Sequence, residues 1–124
     1  MKKQINTEAA PAAIGPYSQG IEIEGFIFTS GQIPINPETS EMVENNIEKQ
    51  TVQVLENLKN VLKKANLGMD NIIKTTIFLS DLGNFDKVNE IYEEYFGDIP
   101  PARSCIEVAK LPKNSLIEIE AIAR

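Results

Sequence analysis

One guanidinium and two carboxylates stand close together in the last quarter of the chain. Arg103 lies in Pro100-Pro101-Ala102-Arg103-Ser104-Cys105, and Glu118 and Glu120 lie in Leu116-Ile117-Glu118-Ile119-Glu120. Groups of these types move protons and hold ions where they are half-buried, and form weak ion pairs worth roughly 0 to 1 kcal/mol where they are solvated. From Leu116 to Ala123 the alternation is strict, with Ile117, Ile119, Ala121 and Ala123 on one face and Leu116, Glu118, Glu120 and Ile122 on the other. The first face reads as core. The second mixes carboxylates with branched aliphatics, as a strand does when it lines a half-buried cleft or a subunit contact. The run Arg103 to Val108 sets Arg103, Cys105 and Glu107 against Ser104, Ile106 and Val108, and the Pro-Pro pair marks where this strand begins. Lys110 to Asn114 reads as a hairpin loop between the two strands. Register decides whether Arg103 and Glu118 share a face, because a slip of one residue reverses one of them.

Composition narrows the chemistry. The chain has 124 residues, enough for one domain over 1–124 that buries roughly two-thirds of its unfolded surface without a disulfide or a metal. It has no histidine and a single cysteine, Cys105. Zinc chemistry and Ser-His or Cys-His catalysis are therefore excluded, and a metal site would have only carboxylates to use. The net charge of −6 argues against unaided nucleic-acid binding, for which a basic stripe is expected. No apolar run near Met1 has the length of a signal peptide or membrane span, so a cytoplasmic location is expected.

The elements that must carry these groups follow in order. Residues 4–7 suit a short edge strand, and Ala9 to Pro16 a constrained loop that ends in Tyr17-Ser18-Gln19-Gly20. Tyr17 either packs at the sheet edge or offers its hydroxyl to a ligand. Glu24-Gly25 between Ile21-Glu22-Ile23 and Phe26 to Ser30 signals a tight hairpin. Gly31 after Ser30 allows a close backbone approach by a ligand or by another segment. Ile33 to Ser40 reads as loop. A helix capped by Asn45 or Asn46 runs to about Asn66 and stops at Gly68; Gln50, Gln53, Glu56 and Asn57 fall on its wet side. Ile72 to Leu79 reads as a central strand, and Phe85 to Phe96 as a second helix ended by Gly97, with Asn89 off its apolar face. The sum is an α+β two-layer sandwich, with a mixed six-stranded sheet and two helices on one face. The opposite face carries Phe and Ile, which implies an oligomer whose sheets press together.

These motifs resemble the Rid family of reactive intermediate deaminases, most closely its RidA group, over nearly the whole chain. The likeness is carried by Ala12 to Gly20, by Thr29-Ser30-Gly31-Gln32-Ile33-Pro34, by Val88-Asn89 with Tyr92 and Phe96, and above all by Pro101-Ala102-Arg103-Ser104-Cys105-Ile106, Leu111-Pro112-Lys113 and Ile117-Glu118-Ile119-Glu120-Ala121. The resemblance implies a chorismate-mutase-like fold and a homotrimer with clefts between subunits. It implies hydrolysis of 2-imino acids, released by pyridoxal-phosphate dehydratases, to 2-keto acids and ammonia, with no cofactor. In that reading Arg103 holds the substrate carboxylate and Glu118 activates water. Backbone groups of Gly31 and Cys105 touch the substrate, and Tyr17, Ser30 and Asn89 complete the cleft wall. Glu120 is structural. A sensor that binds a small carboxylate without turnover is the main alternative, and translation inhibition or ribonuclease activity a third.

Overall fold

A computed structural model describes all 124 residues. Its strands are β1 (Lys3–Ile5), β2 (Gly20–Ile23), β3 (Phe26–Thr29), β4 (Ile35–Asn36), β5 (Glu41–Met42), β6 (Ile72–Leu79), β7 (Ala102–Glu107) and β8 (Ile117–Ala123); its helices are α1 (Ile47–Lys64) and α2 (Phe85–Glu93). Six strands form one sheet in the order β1-β2-β3-β8-β6-β7, and β4-β5 is a separate ribbon. Only β6 and β7 run parallel. β8, whose Ile117, Ile119, Ala121 and Ala123 are all buried, is thus the middle of a mixed sheet with both helices on one side. The expected architecture holds.

Local chemistry explains the elements. Ile23 pairs with Phe26 across Glu24 and Gly25, both at positive φ (49° and 83°), the type I′ geometry that matches strand twist. Asn46 caps α1, its side chain accepting from the Lys49 amide at 2.9 Å. The helix packs Val54, Leu55, Leu58, Val61 and Leu62 against Ile77, Leu79, Ile117 and Ile119 in one buried cluster.

Several expectations need correction. β7 and β8 are not a hairpin: β6 lies between them, paired to each, so residues 110–114 are a crossover turn. The segment 33–40 is not simply loop, since Ile35–Asn36 pairs with Glu41–Met42. α1 closes through Asn66 at φ 61°, with the Leu67 amide donating to the Leu62 carbonyl; Gly68 is extended and stops nothing. α2 ends at Glu93, short of Phe96. Most consequential, Gln50 and Asn57 are 2% and 0% exposed. They share the helical row of Ile47, Val54 and Val61 and serve as buried clamps. Gln50 Oε1 accepts from the Leu116 amide at 2.8 Å; Asn57 Nδ2 donates to the carbonyls of Ile33 and Ile35 at 3.1 and 3.0 Å.

The face away from the helices is open. Phe28, Ile23 and Ile106 are 44%, 39% and 46% exposed there, beside Ile122 and Phe78.

Replacing Asn57 by Leu removes a donor from both carbonyls; that of Ile33 still accepts from the Ile35 amide at 2.8 Å, so the Ile35 carbonyl is the one that loses its partner, at about 1–3 kcal/mol. Asn57→Leu is expected to lower stability by about 1–3 kcal/mol, read as a drop in the urea midpoint at unchanged slope; a midpoint within error of the parent chain would show that the clamp contributes nothing.

Candidate active site

Pairing register separates the two groups that could do chemistry. Arg103 lies opposite Thr75, which lies opposite the buried Ala121, so the guanidinium leaves the sheet on the helix side. Glu118 lies opposite Phe78 and, through it, Ile106, on the open side. Within one chain they therefore line two different clefts.

The first cleft, of about 510 Å3, contains Tyr17, Ser30, Gly31 and Glu118. Its walls are tied down by hydrogen bonds of polar side chains, of which Gln19 is buried. Gln19 donates to the carbonyls of Thr7, Ala10 and Pro11 and accepts from the Thr7 amide at 2.7 Å, fixing the N-terminal loop. Ser30 Oγ donates to the Ser18 carbonyl at 2.6 Å, and the Tyr17 hydroxyl accepts from the Ile14 amide at 3.2 Å. Gln32 and Ile119 exchange two backbone hydrogen bonds, 2.8 and 3.1 Å long, which bring Gly31 directly over Glu118. A Cβ at position 31 would stand 2.2 Å from Glu118 Oε2. Burial, with a smaller contribution from Glu120, holds the Glu118 carboxyl above its ordinary range. Such a shift increases its strength as a base once ionised.

The second cleft, of about 570 Å3, contains Arg103 and Asn89. Arg103 Nη1 donates to Asn89 Oδ1 at 2.7 Å, and the guanidinium carbon lies 5.0 and 5.3 Å from the ring centres of Tyr92 and Phe85. Tyr92 is itself held by Thr75 at 2.7 Å between hydroxyls. The fork is thus oriented by aromatic faces and an amide, with no carboxylate to neutralise it. Cys105 follows on the same strand face and packs half-buried against the core. Burial pushes its thiol up despite the nearby Arg103, which leaves it a poor nucleophile at neutral pH.

Known proteins are similar to this chain in sequence and fold. A family model described as Endoribonuclease L-PSP matches residues 7–124. The 2-iminobutanoate/2-iminopropanoate deaminase of Escherichia coli K12 is 52% identical over 126 residues, spanning 99% of this chain and 98% of its own. Among solved structures, a Rid-family protein of unknown function from Yersinia pestis is 56% identical, with a TM-score of 0.97 over 99% of this chain and 98% of its own. The chain belongs to the Rid family. A RutC family protein of Pyrococcus horikoshii is 54% identical over 123 residues, 99% of this chain and 98% of that one.

In this Rid chain the first cleft gathers Tyr17, Ser30, Gly31 and Glu118, the second Asn89 and Arg103, and Cys105 lines neither. Sequence reading gave no role to Gln19, which holds a wall, or to Lys113, which lines the first cleft, and it put Asn57, which holds another wall, on the wet side of α1. Asn57 had a signal in its helical row; Gln19 had none, since an amide before a strand is ordinary.

The Gly31 contact generates a test. The three atoms nearest the new methyl of Gly31→Ala all belong to the Glu118 side chain, which can rotate, so the variant is expected to fold with little loss of melting temperature while displacing the Glu118 carboxyl toward solvent. Carbon NMR of that carboxyl should show its titration returning toward the ordinary range; an unmoved titration would mean that the close approach does not set it.

Proposed function

We propose that this protein hydrolyses 2-imino acids, such as 2-iminopropanoate and 2-iminobutanoate, to 2-keto acids and ammonia. The observation that carries the reading is the presence of an oriented, unneutralised Arg103 fork in one cleft and a Glu118 carboxyl of raised proton affinity in the other. The name of the Escherichia coli relative supports it. The exposed Phe28 and Ile106 support assembly of copies through that face. A homotrimer that sets the Arg103 cleft of one copy against the Glu118 cleft of the next gives three complete sites.

In such a site Arg103 takes the substrate carboxylate through two parallel hydrogen bonds, which fixes the imine carbon beside Glu118. Glu118 accepts a proton as water adds to that carbon and returns it to nitrogen, giving the carbinolamine. It then takes the hydroxyl proton and delivers it to the amino group as the C–N bond breaks, so that ammonia leaves and the carbinol oxygen becomes the keto group. The imine is electrophilic already, so this chain's own residues suffice. Ribonuclease action, which the family description names, suits a chain of net charge −6 poorly.

Keto-acid release from 2-aminoacrylate, made in place by a dehydratase acting on serine, tests the reading. Glu118→Gln is expected to lower kcat about 100-fold or more while retaining pyruvate binding; Arg103→Lys should lose both, because an ammonium cannot form the fork. A Glu118→Gln chain with unaltered turnover would sink the proposal, and a parent chain that binds pyruvate without turnover would favour the sensor.

Co-expressing Arg103→Ala and Glu118→Ala chains should restore activity that neither has alone, since about a quarter of clefts in a random symmetric mixture join two intact halves. No recovery in mixed trimers would place both groups in one subunit's site.

The pH profile carries a sign. Only ionised Glu118 accepts a proton, so activity is lost as pH falls through its raised titration. Glu120→Gln removes the like charge and should move that acid limb to lower pH; a limb that stays put or moves up would assign it to another group.

A further inference from the structure

Between β7 and β8 the chain makes a tight turn, Pro112–Asn114, in which Lys113 and Asn114 both take left-handed backbone, each at φ 55°. Neither is glycine, and lysine in particular gains nothing from that geometry. The turn is held on both sides. The Ser115 amide and hydroxyl both donate to the Pro112 carbonyl, at 3.1 and 2.9 Å, and the next amide, Leu116, is clamped by Gln50 at 2.8 Å. Such over-determined strain gathers where a side chain has a task.

Lys113 lines the Glu118 cleft and is the only cation that does. Its ammonium has no carboxylate within 4.0 Å, both of the chain's ion pairs lying elsewhere, at Lys49–Glu44 and Lys87–Glu48. The surroundings are unfavourable to an anion: the chain carries a net charge of −6, and Glu118 and Glu120 stand on the same strand face. A 2-imino or 2-keto acid is itself an anion. Arg103, which would hold it, faces the other cleft and reaches a complete site only from a neighbouring copy.

We propose that Lys113 is the capture residue of the cleft, a positioning cation that draws small carboxylates past Glu118 and Glu120 toward the Arg103 fork. The inference rests on the deaminase reading for its substrate but not for its test. A free ammonium at a cleft mouth acts at a distance. It therefore changes how often an anion enters, and its effect fades with salt. The chemical step, which involves Arg103 and Glu118, does not pass through it. The left-handed backbone points this one cation at the cleft, which explains a strained lysine where glycine or asparagine would sit with less cost.

The experiment compares the parent chain with Lys113→Asn, Lys113→Glu and Lys113→Arg. Asparagine tolerates the left-handed backbone better than lysine, so Lys113→Asn is expected to melt at or above the parent temperature. At low ionic strength its KM for 2-iminopropanoate should rise roughly threefold to tenfold with kcat within about twofold. Lys113→Glu should raise KM further, Lys113→Arg should retain the parent value, and high salt should bring the parent KM toward that of Lys113→Asn. Pyruvate affinity, measured by titration calorimetry, should fall in the same order. An unchanged KM and pyruvate affinity in Lys113→Asn at low salt overturns the proposal, as does a loss confined to kcat. Should the parent chain show no turnover, the deaminase reading fails by itself, and the pyruvate series still decides the role of Lys113.

Discussion

Residues 29–32 meet β8 through an irregularity on which the site depends. Phe28 pairs with Ile122 and Gln32 with Ile119, so the stretch after β3 spends one residue more than β8 over the same interval, as in a β-bulge. Within it Thr29 lends its side-chain oxygen to the Ala121 amide at 2.9 Å, replacing a backbone acceptor that the bulge has displaced. The surplus residue is absorbed around Ser30 and Gly31, and the absence of a Cβ at Gly31 lets that backbone close over Glu118. Without the bulge Gly31 would continue the ladder along β8. The two Gln32–Ile119 bonds hold it instead over Glu118. Other clamps act on the same point, because Asn57 fixes Ile33 and Ile35 just beyond it and the Gln19 carbonyl accepts from the Ser30 amide just before it at 2.9 Å.

The second group is placed by a different rule. β7 is the edge strand, and α2 covers it only as far as Glu93. Arg103 leaves that edge where Phe85, Asn89 and Tyr92 offer one helix face at spacings of four and three, so its fork is oriented while its outer side stays free. Strand alternation then makes separation from Glu118 unavoidable. Arg103 shares a row with a core residue and Glu118 does not, and no side-chain rotation carries either through a sheet packed on Thr75 and Ile77. A reaction that needs both groups on one substrate needs a second copy, and the apolar open face is the surface on which that copy would sit.

Much of this was legible in the residues because much of it is periodic. The bounds of β6, the two-residue turn at Glu24-Gly25 and the inward face of β8 all follow from alternation and turn chemistry, and the structure has them as read. Order within the sheet was not legible. Nothing local tells β7 to run parallel to β6 and leave β8 on its far side, and Pro112 and Asn114 between β7 and β8 serve a hairpin or a crossover equally well. Gln50 and Asn57 were misread for another reason. Polarity was allowed to outweigh position, although both fall in the row of Ile47, Val54 and Val61, and a buried amide with its partners supplied is as acceptable to a core as leucine. Which face Arg103 takes relative to Glu118 depends on register across an intervening strand, a long-range quantity absent from either segment.

Left-handed residues other than glycine occur in several turns of the chain, and at Glu24 and Asn66 they close a hairpin and end a helix. Lys113, also left-handed, lines the first cleft instead, where the Glu118 carboxyl is held above its ordinary range and the bulge brings Gly31 over it. Arg103 stands without a counter-ion in the second cleft, on the other side of the sheet. The core has no buried polar side chain without a partner. A fold that satisfies its interior so fully and leaves a destabilised carboxylate and an unpaired guanidinium at its clefts has kept those clefts for something the interior does not require. In the proposed reaction the guanidinium would bind an anion and the carboxylate would take a proton, and groups on opposite sides of one sheet could share that task only through a second copy.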